Sequence, residues 1–549
     1  MNPTELDKYL YIKKTPTWLV RSLYIYALCA WALVLLGYSG AIAFDPFYRW
    51  IAAPMLAVFT LYYGLGFGLN LFYRQFDVSK HAHLREGYWR MHFEPTVNIF
   101  LPICGEKMDL LRRTWEHVSR IKYRNKRVYV LDDSREDCVE HRKVAEQYGF
   151  AYVSRPNKGW MKKAGNLCYA FERTFGEFIA IFDADFAPHP DFLIELLPYM
   201  SDKKVGIVQS PQYFETTKNV HSRSALEYGA AHVQEFFYRF IQVARDRFGG
   251  AICCGSNAIY RRSALEAIGG PVLVEHSEDA YTGFILTDKG YRVRYVPMIL
   301  AVGVCPDDAH SYFHQQHRWC SGSMSLLVTK RFWHSSLSWK TKICYGVGFL
   351  YYASQPLSIL FSFQLFWSLF FYNDHISISN GILFYPYLLW TYGIMFFFPI
   401  ARYRPGCILA SFLQTYSYSH AVYTSLLKKT IGWIPTNVKH IGVSRAFTQT
   451  TIAVCVYVFI YSTLVALAIR MGMLHLLNYS YYSVQFWIFY NVFFTTILLW
   501  QMYKTMGEVK GQNIYNAAAS QFALASWKLK TAGSYVATLG AVFLAVVYL

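Results

Sequence analysis

The sequence predicts an α/β domain with a mostly parallel sheet, inserted in an α-helical transmembrane domain of about six or seven spans. Long apolar runs lie towards both ends of the chain, and charged residues become frequent between positions 75 and 340. In that central region short β-rich runs alternate with helical patterns, which is typical of a parallel sheet covered by helices. We therefore divide the chain into an N-terminal segment with two spans (1–74), a cytoplasmic α/β domain (75–340) and a second transmembrane region (341–549).

The composition favours a membrane protein over a large soluble one. Hydrophobic residues make up 54% of the 549 positions, and aromatic residues 19%. The formal net charge is +18, and Lys and Arg cluster beside the apolar runs, as they do on the cytoplasmic side of membrane helices. A basic balance can indicate a nucleic-acid partner, but a membrane face with anionic lipids and anionic nucleotide donors explains it better here. We therefore expect no nucleic-acid partner. The eleven cysteines include no C-x-x-C pair, which argues against a zinc site and favours reduced thiols.

Apolar runs long enough to cross a bilayer define the predicted topology. The first is too long for the core of a signal peptide, and we expect it to be a retained anchor. Loops 373–381 and 471–483 carry no Lys or Arg, whereas 401–446 and 503–531 carry many, which predicts a cytoplasmic N-terminus and α/β domain. The predicted spans are 22–43, 50–73, 346–371, 382–400, 447–469, 484–502 and a short last one at 532–549, which could instead lie on the membrane surface.

Acidic residues follow two of the predicted strands. Asp132 and Asp133 end one strand, and the sequence Asp183-Ala184-Asp185 ends another. Because parallel sheets bind ligands at the carboxyl ends of their strands, we expect both motifs at the ligand-binding edge. The strands are predicted at 96–101, 127–131 and 178–182, with a helix at 107–121.

Asp183 and Asp185 are candidate ligands of a divalent cation. At the end of an extended strand their carboxylates would point the same way and could hold Mg²⁺ or Mn²⁺ with a nucleotide diphosphate. A chance D-x-D is the alternative, but the apolar strand before it favours a functional pair. At Asp132 and Asp133, a carboxylate could accept hydrogen bonds from a base or ribose, or simply cap a turn or helix.

Two further patterns are weaker when taken alone. Lys162-Lys163-Ala-Gly-Asn166 begins a helical segment and could lie close to phosphates, although an exposed basic helix start is the simpler interpretation. Ser277-Glu278-Asp279 precedes an apolar helix. One interpretation is purely structural: Ser277 caps the N-terminus of this helix, and Glu278 and Asp279 are acidic residues in its first turn. Its position among the other motifs instead favours Asp279 as a general base that deprotonates an acceptor hydroxyl.

The run Gln315-Gln316-His317-Arg318-Trp319 is the most specific signal in the chain. Arg318 can bind a diphosphate in a forked geometry, and Trp319 can stack on the apolar face of a sugar ring. The alternative is an interfacial aromatic residue beside a basic one, which is common near membranes. All these motifs in this order, next to a membrane region, indicate an enzyme that moves a sugar from a nucleotide-diphosphate donor onto a growing chain.

The ordered motifs resemble those of the processive membrane-bound family-2 glycosyltransferases. These include cellulose synthase catalytic subunits and the related curdlan, mannan, chitin and hyaluronan synthases. Three further matches are Pro102–Glu106, which resembles the family's P-T-Y-N-E with Glu106 kept, Lys163–Asn166, which resembles K-A-G-N, and Cys254–Ser256, which resembles C-G-S/T. The resemblance extends over roughly residues 15–470 and implies a GT-A-like fold for the α/β domain.

The resemblance also implies a role for each motif residue. Asp279 would be the catalytic base with Glu278 beside it, Asp185 and Asp183 would bind Mg²⁺ or Mn²⁺, and Asp132 would contact uracil. The implied donor-binding residues are Glu106, Asp132, Lys163, Asp183, Gln315, Arg318 and Thr436. The implied acceptor-binding residues are Cys254, Gly255, Ser256 and Trp319.

The region 406–446 resembles the interfacial helix and gating loop of cellulose synthases. The family's F-x-V-T-x-K corresponds here to Trp433–Lys439, with Thr436 as the matching threonine. Residues 311–335 and 406–430 mix apolar with basic and polar residues and are expected to be amphipathic helices in the membrane interface. Bacterial cellulose synthases often end in a PilZ domain, which senses cyclic di-GMP. We expect no such domain here, so control by cyclic di-GMP would need another protein.

These observations predict an inverting, processive glycosyltransferase that uses UDP-glucose to make and export a β-glucan, either cellulose or a β-1,3 or mixed-linkage polymer. Mannan, chitin or hyaluronan synthesis remains an alternative. So does a non-processive transferase acting on a polyprenyl phosphate or another lipid-linked acceptor, which would not need Q-x-x-R-W. A transporter with a large cytoplasmic domain is the third alternative, but few charges lie within the spans. The expected partners are the donor, the growing chain, membrane lipid and accessory export subunits, in a bacterial inner membrane.

Overall fold

The computed structural model describes ten ranges of the chain. Thr436, the rest of the predicted gating loop 433–439 and the predicted last span 532–549 lie outside them. The described ranges are 3–13, 15–91, 94–134, 138–214, 225–306, 308–372, 381–394, 405–427, 443–473 and 482–516.

The centre of the α/β domain is a seven-stranded sheet with the order β3-β2-β1-β4-β8-β6-β9. The strands β3, β2, β1 and β4 run parallel, β8 is antiparallel to both neighbours, and β9 is parallel to β6. The prediction of a mostly parallel sheet is therefore confirmed. The strands are β1 Val97–Ile103, β2 Lys126–Asp132, β3 Ala151–Ser154, β4 Phe178–Ile181, β5 Phe186–Pro188, β6 Val205–Gln209, β7 Tyr213–Phe214, β8 Ala258–Arg261, β9 Arg292–Tyr295 and β10 Ala301–Gly303.

Helices cover both faces of this sheet and continue into the apolar regions. Those of the first two thirds of the chain are α1 Thr17–Phe44, α2 Ala53–Asn70, α3 Val78–Arg90, α4 Met108–Ser119, α5 Val139–Gln147, α6 Lys162–Arg173, α7 Phe192–Leu196, α8 Ala225–Val233, α9 Gln242–Asp246, α10 Arg262–Glu266, α11 Glu278–Asp288, α12 Ala309–Leu327, α13 Lys330–Trp333, α14 Trp339–Ser362 and α15 Gln364–Phe371. Later helices are Tyr385–Leu388, Pro405–Leu426, Arg445–Met473 and Tyr482–Asn516.

Period-two burial explains why the central strands form a sheet with a core on each side. Val97, Ile99 and Leu101 of β1 pack into one core, whereas Phe100 packs into the other. All seven residues of β1 are buried, as expected for a central strand covered on both faces. Helix α4 presents Leu111 and other buried residues at helical spacing to the first core. Each fully buried aliphatic side chain contributes roughly 2 kcal/mol to this packing.

A smaller sheet lies beyond β4 and has the order β5-β10-β7. Strand β10 is antiparallel to β5 and parallel to β7. The chain passes from β4 of the large sheet to β5 of the small one within residues 182–185, so the sequence Asp183-Ala184-Asp185 lies at the junction of the two sheets. This junction, together with the carboxyl end of β2, positions the acidic residues discussed below.

Among the residues that the structure describes, three helices are long and apolar enough to cross a membrane: Thr17–Phe44, Tyr48–Asn70 and Arg445–Gly472. Helix α2 packs against α1 and α14, and α12 packs against the helix Pro405–Leu426. A methyl group on Gly229 of α8 would lie 1.8 Å from the carbonyl oxygen of Gly406, so these two helices touch through their backbones. The α/β domain and the apolar helices therefore share an extensive packed interface.

The predicted elements and the structure agree closely within the α/β domain. The strands predicted at 96–101, 127–131 and 178–182 are β1, β2 and β4, and the helix predicted at 107–121 is α4. The predicted spans 22–43, 50–73 and 447–469 correspond to the three long apolar helices. The span predicted at 346–371 is divided at Phe363 into α14 and α15. A total of six or seven spans remains a prediction.

Candidate active site

The two aspartates of the D-x-D motif lie in a turn. The sequence-based expectation placed them on an extended strand end, and this detail was wrong, because the amide of Phe186 donates to the carbonyl of Asp183 at 3.0 Å and closes a turn between β4 and β5. The amide of Asp183 donates to Ser256 Oγ at 3.0 Å, which ties the turn to the loop before β8. The two carboxylates still lie close enough to interact, since burial and then the charge of Asp183 raise the pKa of Asp185 to about 7.

Lys163 links the D-x-D turn to the start of α11. Its Nζ atom donates to Asp183 Oδ1 at 2.5 Å and to the carbonyl of Gly255 at 3.3 Å, and it lies 3.6 Å from Glu278 Oε1. Burial opposes its charge, but the carboxylates of Asp183 and Glu278 outweigh that effect and raise the pKa of Lys163. The Lys163 side chain is 23% exposed, and its interactions with Asp183 and Glu278 hold the cation at the site. The interpretation of Lys163 as an ordinary surface residue was therefore wrong.

The loop Cys254-Gly255-Ser256 contacts both acidic motifs. Ser256 Oγ holds the D-x-D turn, and Gly255 has a φ of +76° and packs directly against the base candidate. A methyl group on Gly255 would lie 2.7 Å from Asp279 Oδ2, so only glycine fits both the space and the left-handed backbone. The amide of Cys254 donates to Gln209 Oε1 at 2.6 Å, which fixes the start of the loop.

Asp279 lies in the first turn of α11 beside Glu278. Burial, followed by the neighbouring charge of Glu278, raises the pKa of Asp279 to about 7, although Lys163 works in the opposite direction. A carboxylate with a pKa near the working pH can both accept a proton and release it. The alternative of a Ser277 side-chain cap was wrong, because Ser277 has a left-handed backbone with a φ of +56° and makes no side-chain cap hydrogen bond.

Helix α12 brings Arg318 to this cluster, and Trp319 follows Arg318 on the same helix. Its middle residues anchor it: Gln316 Oε1 accepts from Tyr418 Oη at 2.5 Å and from Gln414 Nε2 at 3.2 Å. Arg318 and Trp319 are half-buried, whereas the residues before them on the helix are buried. Burial lowers the pKa of Arg318 to about 10, and the charges of Asp185, Asp183 and Glu278 act against that shift. Arg318 therefore lies within electrostatic range of all three carboxylates.

Close packing fixes α12 against α11. A methyl group on Gly322 would lie 1.7 Å from Ser277 Oγ, and Tyr281 Oη lies 3.0 Å from Ser325 Oγ across the same interface. Gly322 follows Arg318 by one helical turn, so the contact sets the height of Arg318 relative to Glu278. Sequence reasoning missed Gly322, and its position one turn after the Q-x-x-R-W motif is the signal that could have identified it.

Glu106 and Asp132 lie at the carboxyl ends of β1 and β2. Glu106 Oε2 accepts from the amide of Cys104 at 2.6 Å, and burial raises the pKa of Glu106 to about 7, with Asp132 and Asp183 adding to the effect. Asp132 is fully buried, and its carboxylate accepts from Tyr152 Oη at 2.6 Å and from the amide of Ser134 at 2.8 Å, with His141 Nδ1 3.1 Å away. The tyrosine and histidine partners of Asp132 were not predicted from the sequence.

Gln315 and Thr436 are less directly placed. Gln315 is buried one turn before Arg318 on α12, and its Oε1 accepts from Gln316 Nε2 at 3.3 Å. Thr436 lies outside the described residues. The structure thus brings together Glu106, Lys163, Asp183, Asp185, Gly255, Ser256, Glu278, Asp279 and Arg318 in one cluster, with Asp132 and Cys254 close to it. Gln315 and Trp319 lie on the same helix as Arg318.

The donor set fits a divalent cation that shares its coordination with a ligand. Within the described ranges, no group of three or more His, Cys, Asp and Glu side chains is arranged to hold a metal by itself. Asp183 and Asp185 supply two carboxylates, and Glu106 adds negative charge nearby. Burial is the main reason that the pKa of Asp185 is raised, and the charges of Asp183 and Glu106 add to it. A cation that takes further oxygens from phosphates and water would relieve this repulsion.

Comparison with known proteins shows which family the α/β domain resembles. Residues 98–269 match the family described as Glycosyl transferase family 2. The chain is 31% identical over 262 residues to the UDP-forming cellulose synthase catalytic subunit of Pseudomonas fluorescens SBW25, which covers 47% of this chain and 35% of that protein. It is also 31% identical over 283 residues to the cellulose synthase 1 catalytic subunit of Komagataeibacter xylinus, which covers 49% of this chain and 38% of that protein.

The curated relatives are longer than the region that matches this chain. The chain aligns with a little over a third of the length of these two curated relatives. Among solved structures, a mannosyltransferase from Pyrobaculum calidifontis in complex with GDP-Man and Mn²⁺ is 16% identical, with a TM-score of 0.48 over 69% of this chain and 99% of that one. The range that matches the family model, 98–269, contains most of the large sheet and the sequence Asp183-Ala184-Asp185.

Proposed function

We propose that this chain, a cellulose-synthase-like glycosyltransferase of family 2, polymerises sugar from a nucleotide-diphosphate donor and passes the polymer through its own membrane helices. UDP-glucose is the proposed donor and a β-glucan the proposed product, because UDP-forming cellulose synthase catalytic subunits are among the relatives of this chain. We further propose the domain limits 1–74, 75–340 and 341–549, with the catalytic domain on the cytoplasmic side of a bacterial inner membrane.

One observation carries this proposal: a single cluster combines a carboxylate suited to proton transfer with cations suited to a diphosphate. Asp279, whose pKa is about 7, lies beside Glu278, and Lys163 bridges from Glu278 to Asp183. Arg318 approaches the same carboxylates from α12. A base and phosphate-binding cations therefore lie together where an acceptor hydroxyl and a sugar nucleotide could meet.

The chemistry is a direct displacement at the anomeric carbon. Asp279 accepts the proton of the acceptor hydroxyl while that oxygen forms a bond to the anomeric carbon, and the bond from this carbon to the diphosphate oxygen breaks. Lys163 and Arg318 stabilise the negative charge that develops on the departing diphosphate. A cation bound by Asp183 and Asp185 would add further charge stabilisation there. One displacement on an α-linked donor inverts the anomeric centre and produces a β-linkage.

The position of Trp319 supports repeated transfer to the same chain. Trp319 is half-buried on α12, and α12 packs against α14 and the helix Pro405–Leu426. A sugar stacked on the indole would therefore leave the catalytic cluster towards the apolar helices. Retention of the product on this path would slow its dissociation relative to the next transfer. Dissociation slower than transfer is the condition for a processive enzyme.

The test uses the purified full chain in vesicles. Radiolabelled UDP-glucose, UDP-N-acetylglucosamine or GDP-mannose is supplied with Mg²⁺ or Mn²⁺, and the product is digested with linkage-specific glycanases. We expect a high-molecular-weight β-glucan from UDP-glucose that is lost in Asp279→Asn. A polymer from another donor would correct the substrate, and short or lipid-linked products from every donor would overturn the processive proposal.

A further inference from the structure

We propose that Arg155, Asp133 and Gly159 form a lock that aims Lys163 at the donor diphosphate, so that Arg155 and Asp133 are positioning residues for donor binding. This inference rests on the proposed function, because it assigns Lys163 to the donor. Neither Arg155 nor Gly159 belongs to a motif that identified the site. The lock lies between the carboxyl end of β2 and the start of α6.

The first part of the lock is a buried, two-pronged ion pair. Arg155 Nε donates to Asp133 Oδ1 at 2.7 Å, and its Nη2 atom donates to Asp133 Oδ2 at 2.7 Å. Arg155 is 1% exposed and Asp133 is 6% exposed. A bidentate pair in this environment fixes the orientation of both side chains, whereas removal of one partner leaves the other charge buried without compensation.

The second part connects the pair to the loop that precedes Lys163. Arg155 Nη2 also donates to the carbonyl of Lys162 at 3.1 Å, and Asp133 Oδ1 accepts from the amide of Gly159 at 3.0 Å. One ion pair therefore holds the loop at two points on either side of Trp160 and Met161. The Arg155 guanidinium also lies against α6, because a methyl group on Gly165 would lie 2.4 Å from its Nη1 atom.

The held loop has an unfavourable backbone conformation. Met161 and Lys162 both have a φ of +49°, and Gly159 has a φ of +79°. Consecutive left-handed residues that are not glycine are costly and persist only where the surroundings impose them. The hydrogen bonds from Arg155 and Asp133 supply that constraint, and the strained turn delivers Lys163 into the first turn of α6 with its Nζ at Asp183.

A purely stabilising role is the alternative, and a double-mutant cycle separates the two. Arg155→Lys keeps the charge but removes the fork and the bond to Lys162. If the lock acts through Lys163, Arg155→Lys raises the KM for UDP-glucose by about tenfold and lowers kcat less. In a Lys163→Met background the same change then adds little to KM, because the cation it aims is absent. Fully additive effects on KM would overturn the proposal.

A glycine pair provides a second test that leaves the ion pair intact. Gly159 and Gly149 have φ values of +79° and +71°, and a methyl group on either would meet nothing within 4 Å. Gly159→Ala and Gly149→Ala therefore impose a similar backbone penalty, but only the first acts on the loop before Lys163. We expect a raised KM for UDP-glucose in Gly159→Ala and an unchanged KM in Gly149→Ala, with equal thermal stability. Equal KM values in the two variants would contradict the lock.

The wild-type protein separates failure of this inference from failure of the proposed function. If the wild type binds no UDP and turns over no UDP-glucose, the assignment of the donor is wrong and the lock falls with it. If the wild type turns over UDP-glucose and Lys163→Met raises the KM, but Arg155→Lys and Gly159→Ala do not, the proposed function stands and the lock alone is wrong.

Discussion

A methyl group placed on Gly255 would lie 2.7 Å from the Oδ2 atom of Asp279. The two residues come from different motifs, since Gly255 belongs to the loop before β8 and Asp279 to the first turn of α11. Gly255 also has a φ of +76°. Both this backbone conformation and the closeness of Asp279, the candidate base, therefore require glycine at this position. This contact therefore limits the space on one side of the Asp279 carboxylate.

Gly255→Ala is therefore expected to displace the Asp279 carboxylate and to lower kcat at least a hundredfold, with a smaller effect on the KM for the donor. The matched control is Gly290→Ala, because Gly290 has a φ of +90° and open space around its Cβ position. Steady-state kinetics of sugar transfer in vesicles provide the measurement. Similar kcat values for the two variants would show that the contact does not matter for catalysis.

The pKa of Asp279 predicts a fall in activity below neutral pH. A base must be deprotonated to act, and burial with the charge of Glu278 raises the pKa of Asp279 to about 7. We expect kcat to decline about tenfold for each pH unit below 7 and to level off above it. The profile is measured at saturating donor and metal, and an acid limb centred below pH 5 would contradict the assignment of Asp279.

The same pKa shift predicts a dependence of stability on pH. The pKa of Asp279 is higher in the folded chain than in the unfolded chain, so its contribution to stability is complete below pH 4 and is lost as the pH rises through 7. Asp279→Asn removes that loss. Its melting temperature should therefore exceed that of the wild type by a few degrees at pH 8 and match it near pH 4. The reverse order would contradict a buried, repelled carboxylate.

Lys163 is expected to influence both donor binding and the base. Its cation lies between Asp183 and Glu278 and lowers the pKa of Asp279. Lys163→Met should raise the KM for the donor more than tenfold and shift the acid limb of the activity profile to higher pH, while Lys163→Arg should keep the limb near its original position. A raised KM with an unshifted limb would separate Lys163 from Asp279.

The Asp183 and Asp185 carboxylates are expected to bind a divalent cation together with the donor diphosphate. Mn²⁺ or Mg²⁺ with UDP should raise the melting temperature of the wild type, and the increase should vanish in Asp185→Asn. Asp202→Asn is the control, because Asp202 lies in an exposed turn before β6. Stabilisation by metal and UDP in Asp185→Asn equal to that of the wild type would place the metal elsewhere.

The sequence was informative about the α/β domain because its central strands are continuous apolar runs. Val97–Ile103 and Phe178–Ile181 are buried on both faces, and each run ends close to the acidic residues that mark the functional edge. The ordered motifs then predicted which residues converge, and Lys163, Asp183, Glu278, Asp279 and Arg318 do lie together. The prediction from the motifs agrees with the fold because the motif residues follow the strands, and the ends of those strands lie side by side in the sheet.

Other features could not be predicted because they depend on packing between distant segments. The D-x-D turn is held by Ser256, 73 residues later, and nothing in the local pattern indicates that it leaves the extended conformation. The contact between Gly322 and Ser277 and the ion pair between Arg155 and Asp133 also join residues from separate elements. Spacing within one segment carries no information about such contacts, so glycine positions and buried charges identified them only in the structure.

We propose that one chain both polymerises sugar and moves the product across the membrane. The most direct test uses vesicles oriented with the catalytic domain outside, supplied with radiolabelled UDP-glucose and a divalent cation, and then treated with a β-glucanase before and after detergent. We expect a long polymer that the β-glucanase cannot digest until detergent opens the vesicles. This polymer should be absent in Asp279→Asn. A polymer digested completely without detergent, or labelled lipid in place of polymer, would contradict it.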